Sequence, residues 1–189
     1  MRNSLAEHLS YAEFLAIMLY SEQLGDGGET MVFLHGIAGS TRYWKSRVKP
    51  LTSHHRLLLV DLLGYGQSPK PWTKYTVDRH VDELYQVVRD QKEMTIVGHS
   101  FGAIVAIAFC ARFPHLVKRL ILISLPYFGD KHGAIKYFSE SHLAERYVTT
   151  NIAFAALACV ITRWVLRWFL PYILRDMPSE VVEDLTRHT

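Results

Sequence analysis

The stretch Gly98–Gly102, which reads Gly-His-Ser-Phe-Gly, constrains the fold of this chain more than any other segment. It follows a short β-branched apolar run, which predicts a buried strand, and it precedes an alanine-rich apolar run that ends at Pro114, which predicts a buried helix. A serine between two glycines at such a turn is the nucleophile-elbow pattern. The alternative is a glycine-rich turn with an incidental serine. The flanking strand and helix favour a nucleophile at Ser100.

Short apolar runs alternate with helical patterns along the first two thirds of the chain. Strands are predicted at residues 17–24, 31–34, 56–60, 94–97 and 117–123, the last four of them buried. Helices are predicted from about Thr41, from a cap at Thr76 or Asp78, and after Ser100. This alternation predicts an α/β fold with a mainly parallel sheet and helices on both faces.

From Ser124 onward the strand patterns stop and helical patterns continue. The sequence therefore predicts three parts: a leader or short helix in residues 1–16, an α/β core in residues 17–126, and a helical region in residues 127–189.

Composition limits the classes of partner. The net charge of +3 is spread without a basic run, which gives no indication of nucleic-acid binding. The two cysteines, Cys110 and Cys159, lie in apolar surroundings, and the first residues lack an apolar signal segment. We therefore predict a cytoplasmic protein without disulfides.

Residues 152–174 form an apolar segment long enough to span a membrane. Arg163 and Arg167 lie at its centre and Pro171 near its end, so we predict a helix that does not span. Contact of this helix with a lipid surface is an open alternative, because the same pattern suits an amphipathic helix lying at an interface.

Three loops follow predicted parallel strands, at residues 35–40, 61–68 and 98–102. Loops at the carboxyl ends of such strands meet at one edge of the sheet, where ligands bind. The backbone N–H groups of Ile37 and Phe101 can there point at one oxygen, which predicts an oxyanion hole. Asp61 is expected to order its own loop through side-chain-to-backbone bonds.

With these three loops in this order, residues 19–125 resemble the α/β-hydrolase fold superfamily, in its cap-bearing branch of esterases, dehalogenase-like enzymes and C–C-bond hydrolases. The resemblance implies that Ser100 is the nucleophile, that Ile37 and Phe101 supply the oxyanion hole, and that residues 127–189 form a helical cap over the substrate. Relatives that cleave carbon–halogen bonds or epoxides carry aspartate at the nucleophile position, so Ser100 disfavours those activities.

A serine nucleophile needs a histidine base and an orienting carboxylate, and in this fold both follow the serine after further strands. The sequence runs only to Thr189, so the resemblance implies a chain truncated after the cap, with no acid or base found in it. The strand at residues 120–123 would then form an apolar edge, which predicts a poorly soluble chain. The open alternative pairs Asp130 with a later histidine, at position 132, 142 or 188.

The predicted substrate pocket combines core and cap residues: His35, Gly36, His99, Trp164 and Trp168. His35 and His99 are interpreted as loop-stabilising residues and not as the base. No metal site is predicted, because His54, His55 and His80 lack ligand spacing with carboxylates. No cofactor is predicted either.

Together these patterns predict a serine hydrolase that cleaves an ester or related acyl bond of a small hydrophobic substrate through an acyl-enzyme at Ser100. The alternative is a non-catalytic remnant or binding module that kept the elbow and lost the acid and base. The sequence gives no indication of the oligomeric state.

Overall fold

The computed structural model describes residues 18–37, 39–127, 129 and 133. The chain divides into two compact units, Met1–Leu125 and Pro126–Thr189, and every helix and strand named below lies in the first. The predicted leader, and with it Cys159, Trp164, Trp168 and nearly all of the predicted cap, lie outside the described residues.

Five strands form one sheet in the order β1-β3-β2-β4-β5. Their bounds are β1 Ser21–Leu24, β2 Thr30–Leu34, β3 Arg56–Val60, β4 Met94–His99 and β5 Val117–Ile123. The pairs β2–β3, β2–β4 and β4–β5 are parallel, and only β1 runs antiparallel, against β3. The predicted α/β fold with a mainly parallel sheet is therefore confirmed.

Three α-helices connect the strands: α1 Thr41–Val48, α2 Val77–Val88 and α3 Phe101–Arg112. The Ser40 hydroxyl caps α1 by accepting the Arg42 N–H, and the Thr76 hydroxyl caps α2 by accepting the Arg79 N–H. Short 3₁₀ turns, Lys49–Ser53 and Pro114–Leu116, lead into β3 and β5. Of the two predicted caps for α2, the structure uses Thr76.

The helices cover both faces of the sheet, as predicted. On one face, apolar residues of α2 and α3 pack against alternate strand residues such as Val32 and Leu34. On the other face, Trp44 and Val48 of α1 pack against the intervening residues, among them Phe33. This alternation follows from the two-residue period of a strand, which sends neighbouring side chains to opposite faces.

Two strand predictions need correction. The first strand begins at Ser21, and residues 18–20 before it are not in a strand. The last strand, β5, is not buried, because Ile121, Leu122 and Ile123 are 36 to 42% exposed. β5 pairs only with β4 within the described sheet, so its apolar side chains lack the cover that a central strand has.

Within the described residues, no helix is both long and apolar enough to cross a membrane. Cys110 has an unpaired thiol and is partly buried in α3.

Candidate active site

Ser100 occupies a strained turn between β4 and α3. Its φ of 51° and ψ of −115° fall in a region that non-glycine residues rarely adopt. A Cβ atom on Gly98 would lie 2.5 Å from the Gly102 carbonyl oxygen, and one on Gly102 would lie 2.5 Å from the Leu34 carbonyl oxygen. Both positions therefore require glycine. The structure has the strained strand-to-helix turn that the sequence pattern predicts.

Hydrogen bonds hold this turn from two sides. The Ser100 N–H donates to the carbonyl oxygen of Ile123 at 2.9 Å, and the Ser100 carbonyl oxygen accepts from the Ala103 N–H at 2.9 Å. The first bond ties the turn to the end of β5, and the second begins α3. The strain at Ser100 persists because its neighbours fix the backbone in place.

The loop after β2 lies against the serine. A Cβ atom on Gly36 would lie 3.1 Å from the Ser100 Cβ and 3.0 Å from the His99 Nδ1. The Gly39 N–H donates to the Gly36 carbonyl oxygen at 3.1 Å, which ties the two glycines of this loop together. The absence of a side chain at Gly36 allows the backbone that leads to Ile37 to approach Ser100.

His35 is fully buried beneath this loop and holds it in place. Its Nε2 accepts the Leu62 N–H at 3.0 Å, which assigns the ring proton to Nδ1, and Nδ1 donates to the Gly36 carbonyl oxygen at 2.7 Å. The ring also contacts Tyr65 edge to face, with centroids 5.4 Å apart. His35 therefore links the loops after β2 and β3. Because its side chain is fully buried, its role in the predicted substrate pocket is to support the loop after β2.

Asp61 is fully buried at the end of β3 and orders its loop, as predicted. Its Oδ1 accepts the Thr41 N–H, and its Oδ2 accepts the Gln67 N–H at 2.8 Å. Gly66 has a φ of 51°, and a Cβ atom there would collide with the Asp61 carboxylate. Burial raises the pKa of Asp61, although these hydrogen bonds oppose the shift.

Two further histidines flank the elbow. His99, the last residue of β4, stacks on Tyr43 of α1 with centroids 5.1 Å apart, and burial lowers its pKa. His80 of α2 is 1% exposed, and its ring meets Phe101 edge to face at 5.0 Å. Burial also lowers the pKa of His80, whose Nδ1 has no hydrogen-bond partner.

The position of His80 beside the elbow is a feature that the sequence interpretation missed. In the sequence analysis, His80 is considered only as a possible metal ligand, and it is excluded by its spacing. The available signal is helical periodicity, because His80, Leu84 and Val88 share the buried face of α2.

No base contacts the serine within the described residues: the Ser100 hydroxyl forms no hydrogen bond with any described histidine. The candidates Asp130, His132, His142 and His188 lie outside those residues, as do the predicted pocket residues Trp164 and Trp168. The part of the chain that the structure describes also holds no group of three or more side chains able to bind a metal ion.

Comparison with known proteins adds to this geometry. The family model described as alpha/beta hydrolase fold matches residues 29–148. The chain is 37% identical over 142 residues to the protein named probable lysophospholipase BODYGUARD 3 from Arabidopsis thaliana, covering 69% of this chain and 28% of that protein. The chain spans less than one third of the length of such curated relatives.

Solved structures show the same fold at low sequence identity. The epoxide hydrolase CorEH superposes with a TM-score of 0.68 at 23% identity, covering 89% of this chain and 63% of that one. A thermophilic esterase from Thermogutta terrifontis gives a TM-score of 0.63 at 22% identity, covering 90% and 62%. At these identities the similarity is evidence for the fold alone.

Proposed function

The chain belongs to the alpha/beta hydrolase fold family, and from this premise we propose that it carries the nucleophile of a serine hydrolase. The proposed reaction is hydrolysis of a carboxylic ester, or a related acyl bond, of a small hydrophobic substrate. The observation that carries the proposal is the strained Ser100 turn against the Gly36 backbone. Strain of this kind in a non-glycine residue is concentrated at functional sites.

The proposed oxyanion hole consists of the backbone N–H groups of Ile37 and Phe101. Phe101 is the first residue of α3, where helix geometry leaves the N–H without an acceptor and the helix dipole favours negative charge. Ile37 directly follows Gly36, whose backbone lies against Ser100. Two such donors would stabilise the charge on a carbonyl oxygen that Ser100 attacks, and the loss of one donor typically lowers kcat about 100- to 1000-fold.

In the proposed reaction, the Ser100 Oγ attacks the ester carbonyl carbon and its proton passes to a base. The tetrahedral intermediate then collapses, the C–O bond to the alcohol breaks, and the alcohol leaves with that proton. Water hydrolyses the resulting acyl ester on Ser100 by the same steps in reverse order. We propose that the base and its carboxylate lie outside the residues that the structure describes, with Asp130 and His132, His142 or His188 as the open alternative within this sequence.

The substrate preference is proposed from the relatives and from the sequence. BODYGUARD 3 is named a probable lysophospholipase, and the Thermogutta protein is an esterase. From the sequence alone, Trp164 and Trp168 are expected to be apolar pocket residues, and they lie outside the described residues. A hydrophobic acyl group fits such a lining better than a sugar or a phosphate, which need polar and basic partners.

A second candidate is a non-catalytic member of the family that keeps the elbow without a working base. The observation that favours it is the Ser100 hydroxyl without a described hydrogen-bond partner. The two candidates differ in whether Ser100 is chemically activated.

Labelling with a fluorophosphonate, together with hydrolysis of a short-chain p-nitrophenyl ester, tests the proposal. We expect the unmodified chain and the control variant Ser53→Ala to be labelled and to turn over the ester, and Ser100→Ala to do neither. Ser53 is a suitable control because it is an exposed serine in the turn before β3. Equal labelling of Ser100→Ala would exclude Ser100 as the nucleophile, and no labelling of any form would exclude a working base within this sequence, Asp130 with a later histidine included.

A further inference from the structure

The loop between β3 and α2 displays a tryptophan between two lysines. Trp72 is fully exposed, with a relative exposure of 106%, and Lys70 and Lys74 on either side of it are also exposed. The sequence has no acidic residue between Asp61, which is buried, and Asp78. Residues 69–75, named the Trp72 loop below, therefore combine an exposed apolar ring with two exposed lysines, of which Lys70 also interacts electrostatically with the buried Asp61 carboxylate.

Hydrogen bonds hold the Trp72 loop in one shape. The Tyr75 hydroxyl donates to the Pro71 carbonyl oxygen at 2.7 Å, and the Thr73 N–H donates to the same oxygen at 2.9 Å. The Lys70 ammonium donates to the Gly66 carbonyl oxygen at 2.7 Å. Because the turn is closed around Trp72, the loop would lose little conformational freedom on binding a partner.

The Trp72 loop lies at the same edge of the sheet as the candidate site. It follows the carboxyl end of β3, and Ser100 follows the carboxyl end of β4, both of which run parallel to β2. Ring contacts connect the two, from Tyr75 to His80 at 6.3 Å and from His80 to Phe101 at 5.0 Å.

Other large apolar side chains are exposed at this edge. Ile37, in the loop after β2, is 69% exposed, and Met18, which leads into β1 beside the end of β3, is 79% exposed. The opposite edge of the sheet differs. Among the described residues, Leu51 in the turn before β3 is the one large apolar side chain that is exposed there.

We propose that the Trp72 loop docks on an anionic phospholipid bilayer. Tryptophan favours the interfacial layer of a bilayer, where its ring is partly apolar and partly hydrated, and lysines next to it are attracted to anionic headgroups. The two lysines, with no acidic residue between them in the sequence, favour this surface over a basic or neutral partner. Docking does not need Ser100; the corollary that docking brings lipid esters to Ser100 rests on the proposed function.

Co-sedimentation of the full chain with vesicles tests the proposal, using phosphatidylcholine alone and phosphatidylcholine mixed with phosphatidylserine. We expect binding to the mixed vesicles that weakens with salt, together with a blue shift of tryptophan emission that Trp72→Phe removes. Trp72→Ala is expected to lower the partition coefficient about tenfold, and Lys74→Gln about fivefold.

Matched variants at the opposite edge separate docking by this loop from general adhesion. Leu51→Ala and Lys92→Gln change exposed residues of the same chemical kinds and should bind vesicles as the unmodified chain does. Ser100→Ala should also bind normally, and Trp72→Ala should still hydrolyse a soluble ester, so failure of docking and failure of catalysis are distinguishable. Absence of binding, or equal binding by Trp72→Ala, would overturn the proposal, and a protein surface would then be the alternative partner of the loop.

Discussion

The two ends of the parallel strands are stabilised in different ways. We call the end where these strands begin the amino edge of the sheet and the end where they finish the carboxyl edge. At the amino edge, the Glu29 carboxylate accepts a hydrogen bond from the Thr95 hydroxyl at 2.6 Å and pairs with Lys118 at 3.2 Å. Glu29 and Lys118 border an open, charged cleft of about 790 Å³. At the carboxyl edge, glycine backbones pack directly against other backbones, and buried polar groups such as His35 bond to main-chain atoms.

This difference indicates where the structure tolerates change. An exposed ion pair contributes little to stability, because water and salt screen it and its long side chains lose freedom when they pair. A backbone contact without space for one carbon atom cannot relax in the same way. We therefore expect substitutions in the glycine backbone contacts of the carboxyl edge to have large effects and substitutions in the ion pairs of the amino edge to have small ones.

Gly102→Ala should have the largest effect. Alanine is favoured over glycine inside a helix by about 1 kcal/mol, so local propensity alone predicts that the variant is more stable. The new Cβ would, however, lie 2.5 Å from the Leu34 carbonyl oxygen and 2.6 Å from that of His35. We expect this overlap to dominate and to lower the free energy of unfolding by about 3 kcal/mol, measured by urea denaturation.

Gly27→Ala is the control for this substitution. A Cβ atom on Gly27, in the turn before β2, has no neighbour within 4 Å. The free energy of unfolding of Gly27→Ala should stay within about 0.5 kcal/mol of that of the unmodified chain. If both alanine variants were equally stable, the proposed effect of the backbone contacts at Gly102 would be wrong.

The second prediction concerns pH and His80. Burial lowers the pKa of His80 in the folded chain below its ordinary value of 6.5, so below about pH 6.5 the unfolded chain binds a proton that the folded chain does not. The contribution of His80 to the free energy of unfolding should therefore be fully present above that pH. It should decrease as the pH falls, by at most about 1.4 kcal/mol per pH unit for this one group.

His80→Phe tests this assignment, because it keeps an aromatic ring against Phe101 and removes the titrating nitrogens. We expect urea denaturation of this variant to show a weaker dependence on pH between 5 and 7. Some dependence should remain, since burial lowers the pKa of His99 in the same direction. His115→Gln, at an exposed position, is the control, and an unchanged pH dependence in His80→Phe would contradict the prediction.

The sequence predicts the parts of this molecule that depend on short segments. The order of strands and helices, the cap at Thr76 and the strained turn at Ser100 all follow from patterns of a few residues. The role of Asp61 is also local, because one of its partners, Gln67, lies in the same loop.

Features that join distant segments were not predictable in this way. The bond from the Leu62 N–H to His35 links positions 27 residues apart, and the contact of His80 with Phe101 depends on how two helices pack. The apolar run of β5 is by itself typical of a buried strand, and its exposure was predicted only through the family resemblance, which leaves this strand at the edge of the sheet. Within the described sheet only β4 lies beside it.

Glu29→Gln should have the smallest effect. The hydrogen bond from the Thr95 hydroxyl, with the charges of Lys118 and Arg119, holds the pKa of Glu29 below its ordinary value of 4.5. The stabilisation from its ionised form is therefore present above that pH and is lost as the pH falls further. At pH 7 the variant should melt slightly earlier than the unmodified chain, and added salt should remove the difference, because salt screens exposed charges.

Fluorophosphonate labelling of Ser100 gives a second measurement on the same variant. Since Glu29 lies at the opposite end of the strands from the elbow, the labelling rate should not change, whereas Gly102→Ala should lower it together with stability. A loss of labelling in Glu29→Gln would mean that the two edges are coupled through the strands. The rigidity around Ser100 would then depend on the whole sheet and not on the glycine contacts at its carboxyl edge.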